Sequence, residues 1–94
     1  MVYATDIHAA DITPGSARLP GAIKSLALDV TRPDKIADVF ETIANEAGRI
    51  DILVNCAGVY EMQLLPHITE AEFDRIIAIN LKGVLFATQA AARH

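Results

Sequence analysis

The sequence predicts an α/β fold on a parallel sheet, and three observations carry that prediction. Short, nearly all-apolar runs alternate with segments of helical periodicity, as when strands buried on both faces are joined by crossover helices. Hydrophobic residues make up 52% of the 94. A free-standing domain this short usually carries fewer, so the excess suits a piece of a larger parallel sheet. Small and polar residues also collect just after the apolar runs, at the carboxyl ends of strands, where such sheets bind ligands.

Each element follows in order. Residues 2–7 form a short β-type run that meets an acid, Asp6, near its end. From His8 to Lys24 the pairs Pro14-Gly15 and Pro20-Gly21 break regular structure and predict a loop. Ser25 to Val30 is a second strand. A helix follows, with Thr31 as its cap, Pro33 near the first turn and Asp34 at the third position of a capping box. Ile36, Val39, Phe40, Ile43, Ala44 and Ala47 fall on one face of it, and Gly48 ends it. Ile50 to Val54 is a third strand, left through the tight loop Asn55-Cys-Ala-Gly58. The last third is helical. Thr69 with Glu72 makes a capping box, and the apolar face runs through Phe73, Ile76, Ile77, Leu81, Val84, Leu85, Thr88 and Ala91. Asn80 and Gly83 interrupt it.

Composition narrows the function classes. A net charge of −4 argues against a nucleic-acid binder, which normally shows a basic patch. No stretch approaches the roughly 18 apolar residues of a membrane helix. The opening residues lack the basic and apolar regions of a signal peptide. The one cysteine, Cys56, cannot form an internal disulfide and fits a reducing compartment. A soluble cytoplasmic protein is the expectation. His8, His67 and His94 have no metal-ligand spacing, so no metal site is expected.

The strand ends hold the candidate chemistry. Asp6 can accept both hydroxyl protons of a ribose, which would favour NAD over NADP, or it can be a solvated acid opening a loop. Asp29 and Val30 can present a carboxylate and an amide to an adenine, or serve as a helix cap. Asn55 to Gly58 would let a backbone approach a flat ligand closely, with Gly58 free to adopt angles closed to other residues and Asn55 pinning the loop to its neighbour. Asn80 is unusual inside an apolar helix, because its amide competes for backbone hydrogen bonds. It is either a satisfied amide or the mark of an interrupted helix that frees a carbonyl. Tyr60 and Met62, just beyond the loop, are read as covering the core rather than touching substrate.

Taken together, Asp6, then Leu28-Asp-Val-Thr31, then Asp51-Ile-Leu-Val-Asn-Cys-Ala-Gly58, then Ile79-Asn-Leu-Lys-Gly83 resemble the short-chain dehydrogenase/reductase family over nearly the whole chain. The resemblance implies a partial Rossmann-like doubly wound sheet over residues 1–94, holding the family's second, third and fourth strands. The first strand with its Gly-rich phosphate turn, and the catalytic half with serine, tyrosine and lysine, would lie outside it. Neither Tyr3 nor Tyr60 is followed by a lysine at the family's spacing.

By the same resemblance the complete protein is an NAD-preferring oxidoreductase acting on a secondary alcohol or carbonyl. Asp6 and Ile7 would sit at the ribose, Asp29 and Val30 at the adenine, and Asn55, Ala57 and Gly58 along the cofactor cleft. Asn80 would belong to the catalytic tetrad, its carbonyl anchoring a proton-relay water. Cys56 stands where the family usually has a second asparagine and is expected to be a small buried residue. Homo-oligomers would form through the C-terminal helix, whose alanine-rich face suits close packing. The chain alone is expected to be inactive. Because the family's sheet runs in the order 3-2-1-4, Ile50 to Val54 would lack a neighbour, and the isolated chain is expected not to be a stable monomer. The alternative is a non-catalytic remnant that binds a partner or assists oligomerisation.

Overall fold

The structure is a computed structural model that describes residues 1–8 and 23–94. The loop expected from His8 to Lys24 lies largely outside the described residues. Two parallel strands, β1 (Val2–Asp6) and β2 (Ile23–Ala27), pair in register from Val2 opposite Ile23 to Asp6 opposite Ala27. One further bond, from the Leu28 amide to the Asp6 carbonyl at 2.8 Å, closes the ladder at its carboxyl end. The second strand therefore begins and ends earlier than the apolar pattern implies. Leu28, past its end, turns into the core and is 5% exposed.

The expected third strand, Ile50 to Val54, joins no ladder. Its backbone has no strand beside it among the described residues, and an apolar run needs a partner to become a strand. Ile50 and Leu53 still pack against the core, while Ile52 and Val54 point into the open.

Helix α1 (Pro33–Ala47) buries Ile36, Phe40 and Ile43, three of the residues its periodicity marks. Its start differs from the reading. The cap residue is Arg32, in an extended conformation, and no side chain caps the helix. Thr31 is committed elsewhere: its hydroxyl and amide both donate to one oxygen of Asp29, at 2.7 and 2.9 Å. Gly48 ends the helix in the left-handed region at φ 84°, its amide donating to the Ala44 carbonyl at 2.7 Å.

After a short 3₁₀ turn (Leu65–His67), a continuous helical run begins at the expected capping box. The Glu72 amide donates to the Thr69 hydroxyl, and the Glu72 carboxylate accepts from the Thr69 amide. The run comprises α2 (Glu70–Ile77), a widened π-helical turn (Ala78–Gly83) and α3 (Val84–Ala91). The interruption expected at Asn80 and Gly83 is this turn.

The packed face of α3 is displaced from the predicted one, of which Val84 and Ala91 are half-buried. Gly83, Ala87 and Ala90 are buried, whereas Leu81, Leu85 and Thr88 are exposed. Small side chains at Ala87 and Ala90 let α3 lie close on α1, with Phe86 and Ala91 packed at the margin of the core. The core, Leu28, Ile36, Phe40, Ala87 and Ala90, sits between the end of β2 and these two helices.

Candidate functional site

Parallel strands end on the same edge of their sheet, so β1 and β2 deliver Asp6, Ile7, Asp29 and Val30 to one side. The Asp6 carboxylate is exposed and accepts from the His8 amide at 3.3 Å. Ile7 is exposed as well. Asp29 is half-buried, and one of its oxygens takes both hydrogen bonds from Thr31. The Thr31 hydroxyl, then the Thr31 amide, holds the Asp29 carboxyl below its ordinary range. A carboxylate accepting such bonds is stabilised in its charged form, so Asp29 is anionic at neutral pH with one oxygen already engaged.

Asn80 makes the pivotal contact. Its Oδ1 accepts from the Val59 amide at 2.8 Å, and its Nδ2 donates to the Val59 carbonyl at 2.7 Å. A primary amide has a donor and an acceptor side by side, and here both meet one residue's backbone. The loop after the third apolar run is thus pinned by Asn80, not by Asn55, which is exposed and makes no side-chain hydrogen bond among the described residues. Asn80 is a satisfied amide and the centre of a widened helix turn at once.

Glycines set the other approaches. Gly58 does not occupy the left-handed region; among the described residues Gly48 alone does. A Cβ on Gly58 would lie 3.6 Å from the Asn80 Oδ1, ordinary contact, so its freedom of angle is not used. Gly83 is the constrained one. A Cβ there would stand 3.1 Å from the Cβ, Cγ2 and carbonyl oxygen of Val30. The widened turn therefore touches Val59 through Asn80 and Val30 through Gly83, joining two of the three strand-end groups. Val59 and Gly83 were not foreseen as part of this junction. The spacing of Asn80 and Gly83 within one helix was the signal available for the second.

Ala57 and Cys56 are exposed, and the thiol is not the buried residue expected. No described segment covers that loop. Tyr60 and Met62, 82% and 90% exposed, do not cover the core either. The loop beyond is tied to α2 by Arg75 donating to Glu61 and by Gln63 Nε2 donating to Glu72 at 3.2 Å. The cluster of Tyr3, Lys24 and Glu46 sits at the opposite end of the sheet, where the strands begin. Among the described residues, no group of three or more His, Cys, Asp or Glu is placed to hold a metal ion. No helix there is long and apolar enough to cross a membrane.

Comparison with known proteins gives this geometry a family context. The profile of the short chain dehydrogenase family matches residues 2–94. A 3-oxoacyl-[acyl-carrier-protein] reductase, FabG, of Thermotoga maritima is 44% identical over 71 residues, covering 76% of this chain and 29% of that protein. Galactitol 2-dehydrogenase of Agrobacterium fabrum is 39% identical over 89 residues, covering 95% of this chain and 35% of that protein. The chain thus spans about a third of the length of these relatives. A short-chain type dehydrogenase/reductase from Mycobacterium marinum superposes with a TM-score of 0.90 at 32% identity, over 98% of this chain and 37% of that one. ElxO, solved with NADP bound, superposes with a TM-score of 0.73 at 32% identity, over 77% of this chain and 29% of its own.

Proposed function

The chain belongs to the short-chain dehydrogenase family, and from that premise we propose that it is the cofactor-side part of a nicotinamide-dependent oxidoreductase acting on a secondary alcohol or its carbonyl. The observation that carries this reading is the junction at Asn80. The helical run widens into a π-helical turn there, and such turns are frequent at functional sites. Here the turn carries an asparagine whose side chain both accepts from and donates to the Val59 backbone.

The residues present fit a dinucleotide along the strand ends. The exposed Asp6 carboxylate would take the adenosine ribose beside Ile7. The second oxygen of Asp29 and the backbone at Val30 would meet the adenine. Asn55, Ala57 and Gly58, all exposed, would line the cleft for the nicotinamide half. The bound cofactor supplies hydride acceptance and donation. The Asn80 carbonyl would hold a relay water for a proton leaving the substrate oxygen. Asp6 supports NAD as the preferred cofactor, since a 2′-phosphate beside a carboxylate is repelled; the NADP bound to ElxO makes this the point most in need of test. The named activity of the galactitol relative supports a polyol or similar alcohol as substrate, and the single free thiol suits the cytoplasm.

Association through the helical run is part of the same reading. The alanine face of α3 is used within the chain, so the contact surface would be the opposite stripe of Phe73, Ile77, Leu81 and Leu85, all exposed.

The test uses the complete polypeptide with NAD and NADP across polyol and hydroxyacyl substrates. Turnover with NAD is expected, falling at least tenfold in Asn80→Ala, and Asp6→Ala is expected to shift preference toward NADP. Unchanged turnover in Asn80→Ala would remove its role. A wild-type preference for NADP would remove that of Asp6.

A further inference from the structure

We propose that residues 60–64 form a substrate-side wall, strapped in place by α2, which selects a secondary alcohol carrying an apolar arm several carbons long. The proposal rests on the oxidoreductase reading and narrows its substrate. The wall begins at the pin. Asn80 holds the Val59 amide and carbonyl, so Tyr60 leaves directly from a fixed residue, two places beyond Gly58. The polar side chains that follow both turn to α2. Glu61 accepts from Arg75, and its side chain is 30% exposed. Gln63 Nε2 donates to Glu72 at 3.2 Å, a carboxylate whose other oxygen accepts from the Thr69 amide and hydroxyl. The residues between them turn the other way: Tyr60, Met62 and Leu64 are 82%, 90% and 72% exposed. Opposite directions at alternate residues are the period of an extended chain, and Leu64 is itself extended. One edge of the segment is thus tied by hydrogen bonds, and the other is an apolar row.

Position and chemistry choose the occupant. Asn55, Ala57 and Gly58 would take the nicotinamide half, so the segment that follows them lies where the reacting alcohol must stand, beside the turn at Asn80. The row carries no charge, since the Glu61 carboxylate is turned away to Arg75. Its one side-chain oxygen is the Tyr60 hydroxyl. Such a surface gains free energy by covering hydrocarbon, and a hydroxylated arm laid on it would lose hydration without recovering hydrogen bonds. Tyr60 and Met62 stand about 7 Å apart along an extended backbone, so only an arm of several carbons lies on both. A fully buried methylene is worth about fourfold in an equilibrium constant, and one covered on a single side about twofold. Four added methylenes then discriminate by about sixteenfold.

The experiment assays the complete polypeptide, with NAD and with NADP, on 2-butanol, 2-hexanol and 2-octanol. The expected kcat/KM rises about twofold per methylene, so that 2-octanol exceeds 2-butanol by about tenfold or more. Tyr60→Ser combined with Met62→Thr, changes at exposed side chains outside the core, is expected to bring that ratio below about threefold. Arg75 acts through Glu61 as a positioning residue. Arg75→Ala is expected to raise KM for 2-octanol far more than it lowers kcat, and Arg75→Lys to restore it. Turnover with no preference for chain length removes the wall and leaves the oxidoreductase reading standing. No turnover of any alcohol with either nucleotide removes that reading, and the wall with it. A ratio kept in the double variant, with a changed molecular mass by light scattering, gives the row to a subunit contact and overturns the wall equally.

Discussion

Gly83→Ala is the substitution in which two well-known effects oppose each other most directly. Replacing glycine by alanine in a helix interior ordinarily stabilises by about 1 kcal/mol. Here the added methyl would stand 3.1 Å from two carbons and the carbonyl oxygen of Val30, closer than comfortable contact. Val30 cannot turn away cheaply, because a β-branched side chain has a stiff χ1, and the oxygen belongs to the backbone. Overpacking at such a site costs about 1–3 kcal/mol, so the net expectation is destabilisation of about 0–2 kcal/mol instead of a gain. Val30→Ala deletes the Cγ2 contact but leaves the Cβ and oxygen, so it should recover only part of the loss. A double-mutant cycle should therefore show a favourable coupling of about 0.5–1 kcal/mol. Urea unfolding followed by helical circular dichroism, at matched protein concentration, reads all four corners. If Gly83→Ala instead stabilises by the full helix-propensity gain in both backgrounds, the close approach of the turn to Val30 is wrong.

Other consequences are simpler to read. Asn80→Asp keeps the acceptor for the Val59 amide but sets a carboxylate oxygen against the Val59 carbonyl. Losing one such bond is worth about 1 kcal/mol, so exchange of the Val59 amide should quicken about fivefold; an unchanged rate would show that the pin does not hold the loop. Glu72 is held below its ordinary value of 4.5, first by the Thr69 amide and then by the Thr69 hydroxyl. With a folded value below the unfolded one, its contribution is complete above 4.5 and fades as pH falls through the lowered value. Protection of the Thr69 amide should follow that course, and Glu72→Gln should flatten it. Ile36, 1% exposed between the two helices, should cost about 2–5 kcal/mol when cut to alanine, and a shift in urea midpoint too small for 1 kcal/mol would move the core elsewhere.

Much of this was legible in the sequence, for reasons that particular residues make plain. The α1 face at Ile36, Phe40 and Ile43, the Gly48 stop and the Thr69–Glu72 box are local patterns that depend on neighbours within a few turns. The misreadings share a different cause. Ile50 to Val54 has the composition of a strand, but a strand exists only with a partner, and none stands beside it among the described residues. Size and apolarity alone would turn Leu81 and Leu85 inward; Ala87 and Ala90 lie there because two helices must come close, and Gly83 because the turn abuts Val30. Thr31 has the chemistry of a cap, but its hydroxyl has a nearer acceptor in Asp29. Asn55 and Asn80 could each have pinned the loop. Only the three-dimensional path shows that the pin reaches across from the helix, 21 residues from Val59 in sequence.

That pin makes the helix and the loop a single lever. A peptide group normally finds its match in another peptide group, and Asn80 supplies the match from a side chain, with donor and acceptor both taken. Moving Val59 away from the turn breaks two hydrogen bonds, and the same turn lies against Val30, three residues past β2, through Gly83. The loop after residue 54 and the segment after β2 thus meet at one turn of helix.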